Sequence, residues 1–386
     1  MQDHLSENSG FVSGTYKTQF RGKDTEYRSF VPSPVNKPYD VQDERIFSFL
    51  EEAVSHLTRL DAYSHLVPDF RLFIKMHAKT EAVKSSKIEG TNTNIDDAVL
   101  EEKEVVPERR DDWEEVQNYV KAMDYGIDRL SDLPICMRLL CEVHKILMQG
   151  VRGEEKQPGE IRKSQNWIGG SIKSASFVPP HPDDLSESLK DLEYFWNNKN
   201  LHIPNLLKIA ISHYQFETIH PFNDGNGRLG RILIVLQLKQ FGILQQPVLY
   251  LSDFFERNKG DYYDSLILVR KQNNMDQWLL FFLEGIIETA KKGEEMFQKI
   301  IDLKKGYDEK IVTFGRQAET ANNLLRFSYS TPAFDIATAA KNINMSTTAT
   351  ANTINRLVSE GILKEITGYS RNRIFTLHQY IDIFRT

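Results

Sequence analysis

Residues His220–Arg231, reading His-Pro-Phe-Asn-Asp-Gly-Asn-Gly-Arg-Leu-Gly-Arg, restrict the fold more than any other stretch. An apolar run from Ile232 to Leu238 follows at once, and Gly242 supplies a stop. The pattern predicts a loop feeding the N-terminus of a buried helix. Such an end carries unpaired backbone N–H groups and a partial positive charge, so it attracts phosphate. Gly225 and Gly227 let that backbone come close to an anion. Arg228 and Arg231, three apart, share a helix face and offer forked donors to phosphate oxygens. Asp224 is a hard oxygen ligand of the kind Mg²⁺ takes one or two of beside phosphates. His220 stands just upstream, where a general base is useful.

Each feature alone has an ordinary explanation. Asn-Asp-Gly-Asn-Gly is common turn chemistry, and two arginines three apart also describe a solvated helix face. Together they resemble the Fic family signature, His-Pro-Phe-x-(Asp/Glu)-Gly-Asn-Gly-Arg-x-x-Arg, and every specified position matches. The resemblance implies transfer of AMP from ATP to a Ser, Thr or Tyr hydroxyl of a target protein, with pyrophosphate leaving. By the same resemblance His220 takes the hydroxyl proton. Asp224 holds Mg²⁺ between the α- and β-phosphates. Asn226 and the backbone of Gly225–Gly227 form an anion hole, and Arg228 and Arg231 bind the β- and γ-phosphates. Phe222 anchors the loop in the core. A related branch, the Doc toxins, has a Lys where this chain has Gly227 and transfers the γ-phosphate. The small residue here favours the adenylylating pose.

Upstream, Ser85-Ser86-Lys87-Ile88-Glu89-Gly90 resembles the Fic inhibitory motif, (Ser/Thr)-x-x-x-Glu-(Gly/Asn). In that family the glutamate pairs with the second motif arginine, here Arg231, and keeps the γ-phosphate from seating. Ser85 opens the motif. The residues themselves read as a helix over Phe73–Ile88 with Gly90 as its stop. Glu89 then sits at the negative end of the helix dipole, where a carboxylate needs a compensating partner. Lys87 or water is the plain candidate and a motif arginine the functional one.

Between these motifs, Gly159-Glu160-Ile161-Arg162 and Gln165-Asn166-Trp167-Ile168-Gly169-Gly170 precede Phe177-Val178-Pro179-Pro180-His181-Pro182. Short β-prone runs around two glycines predict a hairpin, and the prolines end it. The resemblance makes this the flap, with Ile168 and Gly169 over the nucleotide and residues 165–178 docking an extended target by strand addition. An ordinary surface hairpin over a packed Trp is the alternative. Asp261-Tyr262-Tyr263 lies where relatives contact adenine, with Asn258 nearby. A Tyr ring offers a stacking face and a hydroxyl, yet tyrosines packed in a helical core fit equally well.

The 386 residues suffice for two or three domains. A net charge of −6 gives no general pull toward nucleic acid or acidic membrane. The sequence has no apolar run of 18 residues, and the segment from Met1 to Glu7 lacks the basic-then-apolar layout of a secretory signal. Cys136 and Cys141 are the only cysteines and lie on one predicted helix, so a reducing cytoplasm is the expected home. No membrane partner is expected. The predicted class is mainly α: a helical N-terminal region over 1–130, a Fic core with a β-hairpin flap over 131–290, polar connecting helices over 291–330, and a C-terminal domain over 331–386. In that last segment Ser346 caps a helix ending at Gly361, and Ile362–Ile366 and Arg373–Leu377 alternate as strands. The pattern resembles a winged helix, with Thr347, Thr348, Asn352, Asn355, Arg356, Arg371 and Arg373 as candidate DNA contacts. Six Lys and Arg against four Asp and Glu make a weak basic balance. Protein docking is the commoner use expected here. The whole therefore reads as an autoinhibited, Mg²⁺- and ATP-dependent adenylyltransferase, with self-modification and a homodimer left open. AMP removal by the same site and a nucleotide-sensing DNA regulator are the rivals.

Overall fold

The computed structural model describes residues 11–66, 70–92, 94–150, 156–369 and 372–385. An antiparallel ribbon opens it, β1 (Gly14–Gln19) with β2 (Tyr27–Pro32), registered Thr15 opposite Val31 and Gln19 opposite Tyr27. Helices α1 (Arg45–Leu66), α2 (Phe70–Ile88), the one-turn α3 (Ile95–Ala98) and α4 (Arg110–Arg129) come next. The chain continues through α5 (Met137–Leu147), α6 (Pro182–Asn197), α7 (Asn205–Ile219) and α8 (Asn226–Gln240). Then follow α9 (Ser252–Arg257), α10 (Lys259–Gln272), the 38-residue α11 (Met275–Val312) and α12 (Ala318–Ser330). The tail holds β3 (Ala333–Asp335), α13 (Ile336–Asn342), α14 (Thr347–Ser359), β4 (Lys364–Glu365), β5 (Ile374–Thr376) and α15 (His378–Ile383).

These elements form two compact units that interleave along the chain. The first takes the N-terminal part up to Ser55, Lys121–Ile243 and Arg257–Ile287; the second takes His56–Val120, Leu244–Glu256 and Glu288–Thr386.

In the first unit α7 and α8 pack on each other at the centre. All of α7 from Leu206 to Ile219 is buried, so it is a core helix rather than an amphipathic surface one. The predicted helix after the loop is α8, with Ile232–Leu238 buried. Its stop is the one expected: Gly242 has φ 67°, and the N–H groups of Gly242 and Ile243 return to the Lys239 and Leu238 carbonyls at 3.1 and 3.0 Å. Two buried indoles tie neighbours to α7, Trp196 Nε1 donating to Ser212 Oγ at 2.6 Å and Trp278 Nε1 to the Ala210 carbonyl at 2.8 Å.

In the second unit α2 packs against α12. The buried Glu81 carboxylate on α2 accepts from Tyr119 Oη at 3.0 Å, Ser252 N at 3.2 Å and Ser252 Oγ at 2.5 Å. The segment 291–330, expected as connecting helices, is the second half of α11 followed by α12, and α11 starts well before it because Met275–Val312 offers no proline at which to break. In the tail β3, β5 and β4 make a three-stranded antiparallel sheet beside α13 and α14. Ser346 caps α14 as expected, its Oγ accepting from Ala349 N at 3.3 Å. The strands are shorter than predicted, since Ile362 and Leu363 spend their N–H groups on the Leu357 carbonyl to close α14. Arg356 is not a free contact group: its guanidinium donates to the Phe314 carbonyl and Gln317 Oε1, both at 3.0 Å, and lies 4.0 Å over the Phe314 ring. Arg371 lies outside the described residues.

The α7–α8 contact is close at Gly230. A Cβ there would stand 2.3 Å from Glu217 Oε1 and 3.3 Å from Phe216 Cδ1. Helix propensity favours Gly230→Ala by roughly 0.5–1 kcal/mol, but overpacking a core costs about 1–3 kcal/mol. Gly230→Ala is therefore expected to lower the midpoint of urea unfolding. A raised midpoint would show that the two helices are not locked at this crossing.

Candidate active site

The loop between α7 and α8 is built by backbone turns that only certain residues tolerate. His220 ends α7 in the left-handed region, φ 50° and ψ 62°, with its N–H still on the Phe216 carbonyl at 2.9 Å. Its Nδ1 lies 3.3 Å from the Glu217 carbonyl. A carbonyl only accepts, so this contact puts the proton on Nδ1 and makes Nε2 the basic atom. Gly225 is the N-cap of α8 at φ 73°, where a Cβ would meet Met148 Sδ at 2.6 Å. Backbone N–H groups of the first turn of α8 therefore follow directly on the histidine.

Phe222 is fully buried, as the sequence implied. Asn226 fastens the loop through its side chain. Its Oδ1 accepts from Phe222 N at 2.9 Å and its Nδ2 donates to the Phe222 carbonyl at 2.8 Å. Both ends of the amide clamp the loop, and the backbone N–H of Asn226 lies in the first turn of α8. Asp224 is 45% exposed and accepts from Gly225 N at 2.6 Å through Oδ1. Arg228 and Arg231 are 6% and 2% exposed, so they are not a solvated face. The Arg228 guanidinium lies 3.4 Å from Met148 Sδ and 3.9 Å from Asp224 Oδ1. Gly227 sits in the first turn of α8, half-buried.

Two residues without an assigned role in the sequence hold this loop in place. Arg162 is buried, its charge is dispersed over four carbonyls, and burial lowers its pKa to about 10. Its Nε donates to the His220 carbonyl at 2.9 Å, and its two terminal nitrogens to Ser164 at 3.2 Å, Pro180 at 2.6 Å and Ile219 at 3.4 Å. Its own N–H bonds the Pro221 carbonyl at 2.9 Å. His144 on α5 stacks on Phe222 at 3.9 Å and 16°, donates from Nε2 to the Asp224 carbonyl at 3.0 Å, and accepts at Nδ1 from Gly159 N at 2.8 Å. No local pattern links residues 144, 159 and 224, so only the fold reveals the bond.

The flap is present in reduced form. Ile168 and Phe177 make a single antiparallel bridge, Ile168 N to the Phe177 carbonyl at 2.8 Å. Gly169 and Gly170 both turn left-handed, φ 73° and 57°, and the Ser171–Ser174 turn follows, leaving no length for a longer ladder. Trp167 and Ile168 are exposed rather than packed beneath it. Asn166 Nδ2 donates to the Phe222 carbonyl at 3.0 Å, and Phe30 N of β2 donates to the Val178 carbonyl at 2.9 Å. The flap stem is thus tied both to the histidine loop and to the N-terminal ribbon.

Tyr262 and Tyr263 part company. Tyr262 is 1% exposed and its hydroxyl meets His213 Nε2 at 2.8 Å, which makes it a core residue. Tyr263 is 39% exposed and alone of the pair presents ring surface. Asn258 precedes α10 as its N-cap without a side-chain cap bond. Ser85 is buried in α2; Glu89 is exposed one residue past the end of that helix, and Gly90 follows at φ 101°. Ser85 and Glu89 belong to the second unit and the histidine loop to the first. Among the described residues no group of three or more His, Cys, Asp or Glu is placed to hold a metal, and no helix is long and apolar enough to cross a membrane.

Comparison with known proteins is consistent across sequence and fold. A Fic/DOC family N-terminal model matches residues 47–128 and a Fic/DOC family model matches residues 134–238. The chain is 33% identical over 133 residues to protein adenylyltransferase Fic of Aedes aegypti, covering 34% of this chain and 24% of that protein. It is 31% identical over 165 residues to the protein of the same name in Drosophila yakuba, covering 42% and 30%. The chain thus spans about a quarter to a third of the length of these relatives. In fold it resembles a Fic family protein from Desulfovibrio desulfuricans G20, with TM-score 0.55, 19% identity, and coverage of 88% of this chain and 98% of that one. A Fic domain containing signaling protein from Bacteroides thetaiotaomicron gives TM-score 0.51 at 17% identity, over 65% and 96%.

The buried imidazole of His144 makes the loop sensitive to acid. Burial lowers its pKa to about 4, against roughly 6.5 in an unfolded chain. Between those values the unfolded state binds the proton and the folded state does not. The stabilisation is therefore complete above about pH 6.5 and is lost as pH falls toward 4, on the order of 3 kcal/mol in all. Urea titrations across pH 4.5–7 should show a shallower pH slope for His144→Gln than for the parent. Parallel curves would remove His144 from this role.

Proposed function

This chain belongs to the Fic/DOC family, and we propose that it is a protein adenylyltransferase carrying its own brake, moving AMP from ATP to a Ser, Thr or Tyr hydroxyl of a target protein. The observation that supports this best is the pairing of His220, with its proton held on Nδ1, and the glycine-bounded N-terminus of α8 immediately after it. A base and an anion site are thereby one loop apart. The relatives' shared name, protein adenylyltransferase Fic, supports the same chemistry.

In the proposed reaction the target hydroxyl gives its proton to His220 Nε2 as its oxygen bonds the α-phosphorus. The bond from that phosphorus to the α–β bridging oxygen breaks, and pyrophosphate leaves. The positive end of α8 and the backbone N–H groups after Gly225 stabilise the charge that builds on the α-phosphate. Arg228 and Arg231 take the β- and γ-phosphates through their forked donors. Asp224 suits Mg²⁺: its carboxylate is partly exposed, only Oδ1 is engaged by Gly225 N among the described residues, and a lone carboxylate is the usual complement beside phosphates. Mg²⁺ bound there would neutralise phosphate charge. The flap bridge at Ile168–Phe177 offers main-chain groups to an extended target, and Tyr263 offers a ring to adenine.

The brake is Glu89. The match of Ser85–Gly90 to the inhibitory motif supports this, and in this reading Glu89 pairs with Arg231 and occupies the γ-phosphate position. The C-terminal segment, with three helices and a three-stranded sheet, serves protein docking in this reading, because Arg356 is already committed within it.

Two assays test the proposal. His220→Ala should cut AMP transfer by about 10²–10⁴-fold while ATP binding, followed by calorimetry, stays within a few-fold; undiminished transfer would exclude His220 as the base. Glu89→Gly should raise incorporation of labelled AMP, including self-modification, well above the parent. An unchanged rate of incorporation would sink the brake, and a gain in AMP removal over AMP addition would turn the assignment toward the reverse reaction.

A further inference from the structure

About two turns before His220, α7 carries a second histidine that the reaction above does not use. His213 is fully buried. Its Nδ1 lies 3.2 Å from the Gly230 carbonyl of α8, and its Nε2 lies 2.8 Å from the Tyr262 hydroxyl of α10. A carbonyl only accepts, so Nδ1 carries the proton and donates to Gly230. Nε2 is then the acceptor, and Tyr262 Oη donates to it. One carbonyl thus sets the direction of the whole chain, from Tyr262 through His213 to Gly230. All three residues, and Arg231 after them, belong to the first unit.

The ring has little freedom to do anything else. Burial lowers its pKa to about 3, with the nearby Arg231 charge adding to the effect, so it is neutral at physiological pH. A neutral ring keeps the acceptor that the Tyr262 hydroxyl meets and adds no further positive charge beside Arg231. Its plane is held by Trp278, stacked at 5.8 Å and 17°. The Trp278 indole is itself fastened to the Ala210 carbonyl at 2.8 Å, one turn back on α7. Plane, tautomer and both partners are therefore set before any ligand arrives. What the chain grips is the peptide that joins Gly230 to Arg231, since that carbonyl is half of it.

We propose that His213 and Tyr262 are positioning residues for Arg231: their chain to Gly230 fixes the turn of α8 from which the guanidinium meets the γ-phosphate, and with it the preference for a nucleoside triphosphate over a diphosphate. The inference rests on the role given to Arg231 in the function proposed above, and its test separates the two.

The background for the test is the full chain with Glu89→Gly, in which that reading leaves Arg231 open to the γ-phosphate. Calorimetry gives the affinities for ATP and ADP in the presence of Mg²⁺. Tyr262→Phe removes a hydroxyl and keeps the ring; His213→Leu removes both bonds, and Tyr262→Phe carries the test if His213→Leu fails to fold. Each should lower the ratio of ATP to ADP affinity by about tenfold while ADP affinity stays within about twofold, because ADP has no γ-phosphate to lose. Packing damage alone would weaken both nucleotides together, and an unchanged ratio overturns the proposal. In the double variant the second change should add little, since both residues act through one carbonyl; additive losses would overturn the chain. Arg231→Ala is the reference. A ratio that falls in Arg231→Ala but not in Tyr262→Phe or His213→Leu overturns this inference alone. A ratio unchanged in Arg231→Ala overturns the role given to that arginine, and this inference with it. Imidazole ¹⁵N shifts of the parent should show His213 neutral and protonated at Nδ1; a proton on Nε2 would overturn the first link without any reference to nucleotide.

Discussion

The guanidinium of Arg162 is the interaction on which the candidate active site depends. Taking such a charge out of water costs several kcal/mol even after relaxation. Hydrogen bonds to a charged donor return about 1.5–3 kcal/mol each, and Arg162 makes four through its side chain. The balance is favourable only while all the acceptors stay in place. They come from three separate stretches: the end of α7, the flap stem at Ser164, and the exit at Pro180. The position of the histidine and the position of the flap are therefore one mechanical variable. His144 repeats the device on the other side of the loop, joining α5, Gly159 and Asp224 through one ring.

What was legible in the sequence followed from local chemistry. The run Ile232–Leu238, the glycine stop at 242 and the serine cap at 346 are readable because each acts within a turn or two of itself, and the structure places all three as read. The signature residues Phe222, Arg228 and Arg231 are all buried. The resemblance implied an inward Phe222, while the arginines' burial decides against a solvated face.

Where local reading falls short, a distant partner decides. The resemblance implied a place for Asn226 in an anion hole, and only the structure shows its amide bonded to Phe222. Tyr262 and Tyr263 are adjacent and chemically alike; one meets His213 in the core and the other meets solvent, and helical rotation alone separates them. Arg356 resembles a recognition-helix residue until Phe314 and Gln317 are seen beside it. A histidine on an apolar helix face, as His144 and His213 are, gives no warning that it bonds a residue tens of positions away.

The left-handed backbone at His220 carries an evolutionary consequence. A residue other than glycine pays about 1–3 kcal/mol to sit there, least for Asn, Asp and His, and most for β-branched types. Selection at this position therefore acts on two properties at once, proton affinity and tolerance of the turn. Among side chains able to accept a proton near neutrality, few satisfy both. A lineage that lost the histidine through a single-base change would meet mostly residues that strain the turn or lack a base, so regaining activity by a substitute at the same position is a narrow route. The easier escape is a change elsewhere that relaxes the end of α7, at the cost of the geometry that aims the ring.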